Sequence, residues 1–205
     1  MARRIFDLGR PDRFVAGTVG EPGSRTFFLQ ARRGGTLVSV VLEKVQVQVL
    51  AERMALLLGE VARRGIRVPE ALAPGDEDSA PLEEPLVEAF RVGTMTLAWD
   101  GASDEILVEA RAQVEEDEED EEEDATADEE DEEEDVEEDE EEDEIPDDDP
   151  EGPDLVRVRL TPVRARAFAE RALRTVAAGR PPCPLCGQPL DPRGHLCPRR
   201  NGYVH

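Results

Sequence analysis

The chain has one lysine, one tryptophan, one tyrosine, two histidines and three cysteines in 205 residues. Each scarcity removes a class of explanation. Aromatics at 4% leave little to stack nucleobases in series. Two histidines, one of them the terminal His205, leave no pair of imidazoles for a histidine-rich catalytic centre. No Gly-x-Ser-x-Gly elbow and no phosphate-loop signature occurs, so hydrolase and nucleotide-transfer readings lack a motif. No apolar run reaches the roughly 20 residues of a membrane span, and Met1-Ala2-Arg3-Arg4-Ile5 leads into polar sequence; a cytoplasmic protein without membrane contact is expected.

Basic residues are abundant, and 23 of the 24 are arginine. The formal charge of -26 is concentrated: residues 115–151 hold 30 of the 50 acidic residues and no basic one. Without that segment the chain is weakly basic, and residues 155–205 carry ten arginines against Glu170 and Asp191. Like charge at that density, without aromatics, predicts a disordered acidic loop at 115–151.

Hydrophobic periodicity gives a repeated unit. Phe14–Val19, Thr26–Arg32 and Leu37–Leu42 alternate as strands, joined by Gly20-Glu21-Pro22-Gly23 and Gly34-Gly35 turns, and Val45–Val61 has helical spacing. Gly17 to Gly23 is rich in glycine, but no helix start follows it, so it reads as a hairpin and not as a phosphate cradle. Phe14, Gly17 and Thr18 match Phe90, Gly93 and Thr94 at an offset of 76, and Ala31-Arg32 matches Ala110-Arg111 at 79. Leu37, Val38, Val40, Leu42, Val45, Ala51, Glu52 and Arg53 match Leu155, Val156, Val158, Leu160, Val163, Ala169, Glu170 and Arg171, all at 118. The jump from 79 to 118 places the acidic run as an insertion where the first copy has only Gly34-Gly35.

The expected fold is α+β: a duplicated β-β-β-α unit forming a mainly antiparallel sheet covered by two helices, with copies at about 1–65 and 86–180 of a 1–180 core. Ile5 to Leu8 is expected to add an edge strand to the first copy, and Thr161-Pro162 to open the second helix. Asp12, Asp100 and Asp104 sit near turns, where carboxylates cap backbone, and Trp99 reads as packing for a hairpin end.

Residues 181–205 read as a zinc-binding tail. Cys183, Cys186, His195 and Cys197 form Cys-x2-Cys-x8-His-x-Cys, four N/S ligands for one tetrahedral zinc with no open position. Cys183-Pro184-Leu185-Cys186-Gly187 has the form of a zinc knuckle, in which a small residue after the second thiolate lets backbone N–H groups point at sulfur. A redox Cys-x-x-Cys pair opens a helix, whereas here Gly187 and Pro189 follow.

For anion binding the candidates are Arg157, Arg159, Arg164, Arg171, Arg174, Arg199 and Arg200. The first two alternate with core residues and so face away from the core; Arg164, Arg171 and Arg174 share one side of a helix. The leading functional reading is a non-enzymatic adaptor or regulatory protein with a structural zinc and an acidic interaction loop, meeting a protein partner. The alternatives are nucleic-acid binding through the arginine face, autoinhibited by the acidic loop, and a small-molecule enzyme without a recognisable motif.

Met1 to Val19, the Thr26 to Arg32 strand, Leu42-Glu43-Lys44, Phe90 to Asp100 and the Cys183 to Tyr203 tail together resemble an actinobacterial family of unknown function, the one numbered 3090. The resemblance implies a bacterial cytosolic protein with the cysteine tail as a family feature. It brings no activity, substrate or catalytic residue. The family is expected to end in arginines, where this chain ends Tyr203-Val204-His205.

Overall fold

A computed structural model describes residues 3–69, 71–73, 75–114, 152–179 and 183–186. Alternating apolar side chains give strands β1 (Ile5–Asp7), β2 (Arg13–Val19), β3 (Thr26–Arg33) and β4 (Thr36–Leu42), then helix α1 (Lys44–Arg63). After a long connection come β5 (Glu88–Asp100), β6 (Glu105–Ala112), β7 (Leu155–Leu160) and helix α2 (Pro162–Ala177). The order β-β-β-α thus occurs twice among the described residues. All seven strands lie in one sheet, ordered β1-β7-β6-β5-β4-β3-β2. Four of its six pairings are antiparallel; β4 with β5 and β1 with β7 are parallel.

Local chemistry accounts for the breaks. Gly34 takes φ +55 between β3 and β4, and its N–H donates to Asp12 Oδ2 at 2.6 Å. Asp12 and Asp100 are backbone caps as expected, the latter accepting the Ala102 N–H at 2.9 Å. At the start of α1, Glu43 and Gln46 form a reciprocal capping box, and Gln46 Nε2 also donates to the Val92 and Gly93 carbonyls. Those carbonyls need a partner because β5 bulges there: its register shifts between Val92 and Met95. A Cβ on Gly93 would lie 2.9 Å from Gln113 Cα, so only glycine admits the approach. Thr161 and Pro162 start α2 at the positions the sequence indicates.

Parallel pairing of β4 with β5 requires a crossover, and α1 supplies it. Both helices cover one face, and they pack on each other. Val47, Leu50, Ala51, Met54 and Leu58 of α1 and Ala165, Phe168, Ala169 and Ala172 of α2 join Leu29, Val40, Val108 and Val158 of the strands in one buried cluster. The opposite face of β2, β3 and β4 is covered by the chain between α1 and β5. There Leu82 lies over Gly17, and Glu83 exchanges hydrogen bonds with the buried Gln30, whose Nε2 also donates to Ser39 Oγ at 3.0 Å.

The edge strand corrects the expectation for the N-terminus. Ile5, Phe6 and Asp7 pair with Leu155, Val156 and Arg157 of β7, so β1 extends the second β-β-β-α unit and not the first. Arg4 fixes this choice: its backbone N–H and its guanidinium both donate to the Asp154 carboxylate. Gly9 and Pro11 then break the strand, and the chain reaches β2 at the far edge within a few residues. Six residue steps reach at most about 22 Å, whereas six strand spacings of about 4.8 Å would separate the edges of a flat sheet by about 29 Å. The sheet therefore coils until its two edges approach, and α2 lies along the seam against β2.

Candidate functional site

Among the described residues of the tail, Cys183 is 3% exposed and Cys186 is half-buried. The Leu185 N–H donates to Cys183 Sγ at 3.4 Å, the backbone-to-sulfur contact that a knuckle uses to hold a thiolate. That contact fits the donor chemistry of a zinc site, since an N–H aimed at sulfur favours the anionic form that ligates metal. His195 and Cys197 lie outside the described residues, as do Arg199, Arg200 and the acidic segment 115–151. No group of three metal-ligating side chains occurs among the described residues.

The five described arginines of the predicted anion surface fall into two sets. Arg157 and Arg159 lie on the sheet face away from the helices. The register sets Asp7, Arg157 and Glu109 side by side on β1, β7 and β6. Arg157 Nε donates to Glu109 Oε1 at 2.6 Å, and Glu109, 4% exposed, also holds Arg111 at 3.1 Å. Arg159 donates to Asp100 Oδ2 at 2.8 Å. The Ser103 hydroxyl, the Ala102 N–H and Arg159 together hold the Asp100 carboxyl below its ordinary range.

The second set lies on α2, where Arg164 and Arg171 face the seam. Arg164 Nη1 donates to the Pro11 and Asp12 carbonyls at 3.0 and 2.6 Å. Arg171 Nε donates to the Ala16 carbonyl of β2 at 3.1 Å, capping a backbone group of the edge strand. Its other nitrogens reach the Asp78 carboxylate at 2.6 Å and the Ala80 carbonyl at 2.7 Å. Arg174 is half-exposed, 4.0 Å from Glu170.

Asp78 joins two arginines, because Arg13 Nε and Nη2 also donate to its carboxylate at 2.5 and 2.9 Å. The Arg13 hydrogen bond is the main reason the Asp78 carboxyl is held below its usual range. Desolvation is the main influence on Arg171 and lowers its pKa, while Asp78 opposes it. This clamp fastens the connection after α1 to both β2 and α2. It was not evident in the sequence, where Arg13 and Asp78 stand 65 positions apart; the one available signal was Gln30, a polar residue between the apolar Leu29 and Ala31 of β3.

Two clefts open at the ends of α2. One of about 590 Å³ lies above the clamp, with Asp12, Asp76, Glu77 and Arg164 in its lining. The other, about 490 Å³, lies between the β2–β3 turn, the start of α1 and the end of α2. No described helix is long and apolar enough to cross a membrane.

The chain belongs to the family described as "Protein of unknown function (DUF3090)", whose model matches residues 6–197. No curated protein and no solved structure matches it.

Proposed function

We propose that this member of a family without an assigned activity is a non-enzymatic cytoplasmic adaptor, and that its contact elements are a zinc-held tail and an acidic segment. The carrying observation is how the arginines are used. Arg157, Arg159, Arg164 and Arg171 bond to carboxylates and carbonyls of their own chain, which supports a structural role for them over phosphate binding. An acidic segment of 30 carboxylates then selects partners of the opposite sign, through long-range attraction that is screened by salt.

The zinc reading rests on the four-ligand pattern and on the N–H contact to Cys183. When bound, zinc cross-links the tail and supplies no open coordination site. Purified protein is expected to carry one equivalent of zinc by elemental analysis, and Cys186→Ser to lose it. The main thermal transition should persist in that variant, because the buried cluster is built from residues 8–176. Protein purified without chelators and free of zinc would overturn this reading.

We further infer that the two β-β-β-α units arose by duplication. Val38, Val40 and Leu42 and their counterparts Val156, Val158 and Leu160 are all buried in the shared cluster, as are Ala51 and Ala169 on the two helices. Burial of both sets of residues in one cluster supports this reading.

Deleting residues 115–151 is expected to abolish capture of a polylysine or polyarginine peptide by the intact chain at low salt. The same deletion separates the nucleic-acid alternative. If the acidic segment screens an arginine surface, the shortened chain will bind DNA or RNA more tightly than the intact one, with a gain that fades as salt rises. Negligible nucleic-acid binding by both forms in a mobility assay, with peptide capture only by the intact form, is the result the adaptor reading requires.

A further inference from the structure

We propose that the cleft of about 490 Å³ at the end of α2 binds a small molecule carrying a phosphate or carboxylate on an apolar body. None of its lining residues is one of the four proposed zinc ligands or belongs to the acidic segment, so its test is independent of the adaptor reading. Its polar groups are two cations. Arg25 enters from the β2–β3 turn and donates to the Ala178 carbonyl, which orients the guanidinium across the end of α2. Lys44, the chain's single lysine, enters from the first residue of α1.

Three observations favour an anionic occupant. First, neither cation has an ion pair with a described carboxylate, whereas Arg13, Arg32, Arg157, Arg159 and Arg171 all do. Second, Lys44 stands in the first turn of α1, the positive end of its dipole, and the one carboxylate there, the N-cap Glu43, is already held by the N3 backbone N–H and by Arg91 at 2.9 Å. An anion between Lys44 and Arg25 supplies the counter-charge that Glu43 gives to those partners. Third, the remaining wall is apolar: Pro22, with Phe27 and Val176 buried beneath. A volume of this size lies in the ordinary range for small-molecule sites, about 300–1,000 Å³, and a few placed charges on an apolar lining are their usual composition.

The single lysine makes the test direct. Full-length protein labelled with ¹³C and ¹⁵N in lysine gives a single lysine spin system, that of Lys44. Phenyl phosphate, benzoate, inorganic phosphate and acetate are titrated against it at constant ionic strength. The expected result is a saturable shift with phenyl phosphate or benzoate, at an affinity about tenfold above that of the matching headgroup alone, since a ring buried on Phe27 and Val176 adds apolar contact. The tighter of the two aromatic probes identifies the headgroup. Arg25→Ala should weaken that binding about tenfold through loss of a charge-assisted hydrogen bond, while Arg25→Lys retains most of it and Arg53→Ala, elsewhere on α1, leaves it unchanged. A shift that never saturates, or one equal in the wild type and Arg25→Ala with the variant's spectrum still that of a folded chain, would overturn the proposal.

Discussion

Replacing Phe168 with alanine will destabilise the fold by about 3–5 kcal/mol, the range for deleting a fully buried aromatic side chain together with the cavity it leaves. Phe168 is 1% exposed and sits on α2 facing the seam, where its ring centroid lies 4.6 Å from that of Phe14 on β2. That pair joins α2 to the strand at the far edge of the sheet, so truncation removes burial and a tilted ring contact at once. Neighbours cannot easily fill the gap. Ala165, Ala169 and Ala172 line the same buried face of α2, and none has a side chain long enough to move in. Urea unfolding followed by Trp99 fluorescence should show a lower midpoint with a similar slope. Leu56→Ala is the control: Leu56 is 66% exposed, and its loss should stay within about 0.5 kcal/mol. A Phe168→Ala cost as small as that of Leu56→Ala would mean that α2 does not close the seam.

Much of this architecture was legible because it depends on local pattern. Val38, Val40 and Leu42 alternate and lie on the core face; Thr161-Pro162 starts a helix; Gly34-Gly35 turns a hairpin. The change in offset between matching residues placed the acidic segment between two paired strands, and β6 and β7 do pair antiparallel across it. Pairing at a distance was less legible. A three-residue strand such as Ile5–Asp7 has no pattern that names its neighbour, and its place beside β7 is decided by Arg4 meeting Asp154. Alternation showed that Arg157 and Arg159 face away from the core, but a cross-strand partner depends on register. The register of β7 against β6 cannot be read across a long insertion, so Glu109 beneath Arg157 was not foreseen. For the tail, spacing alone carries the proposal of four zinc ligands, of which Cys183 and Cys186 fall among the described residues.

The clamp on Asp78 carries the other large effect. Arg13 and Arg171 each have side chains only 11% exposed, and both bond to one carboxylate that is itself 31% exposed, although Arg13 also keeps Glu83 at 3.3 Å. Asp78→Ala leaves two neighbouring guanidinium groups without their shared anion. Breaking a fully buried pair costs about 3–5 kcal/mol, and the partial exposure of Asp78 lowers the expected loss to about 2–3 kcal/mol. The carbonyls of Ala80 and Pro81 still accept from Arg13, so the connection should loosen and not detach. The effect has a pH signature. Because the Asp78 carboxyl is held below its usual range, its contribution is complete above the unfolded-state value of about 3.9 and is lost as pH falls through the lower folded value. The stability difference between wild type and Asp78→Ala should therefore be constant near neutral pH and narrow below about pH 4. Pairing Asp78→Ala with Arg171→Met should recover part of the loss, since it also removes one stranded cation, whereas strictly additive losses would show that Asp78 and Arg171 do not act as a unit.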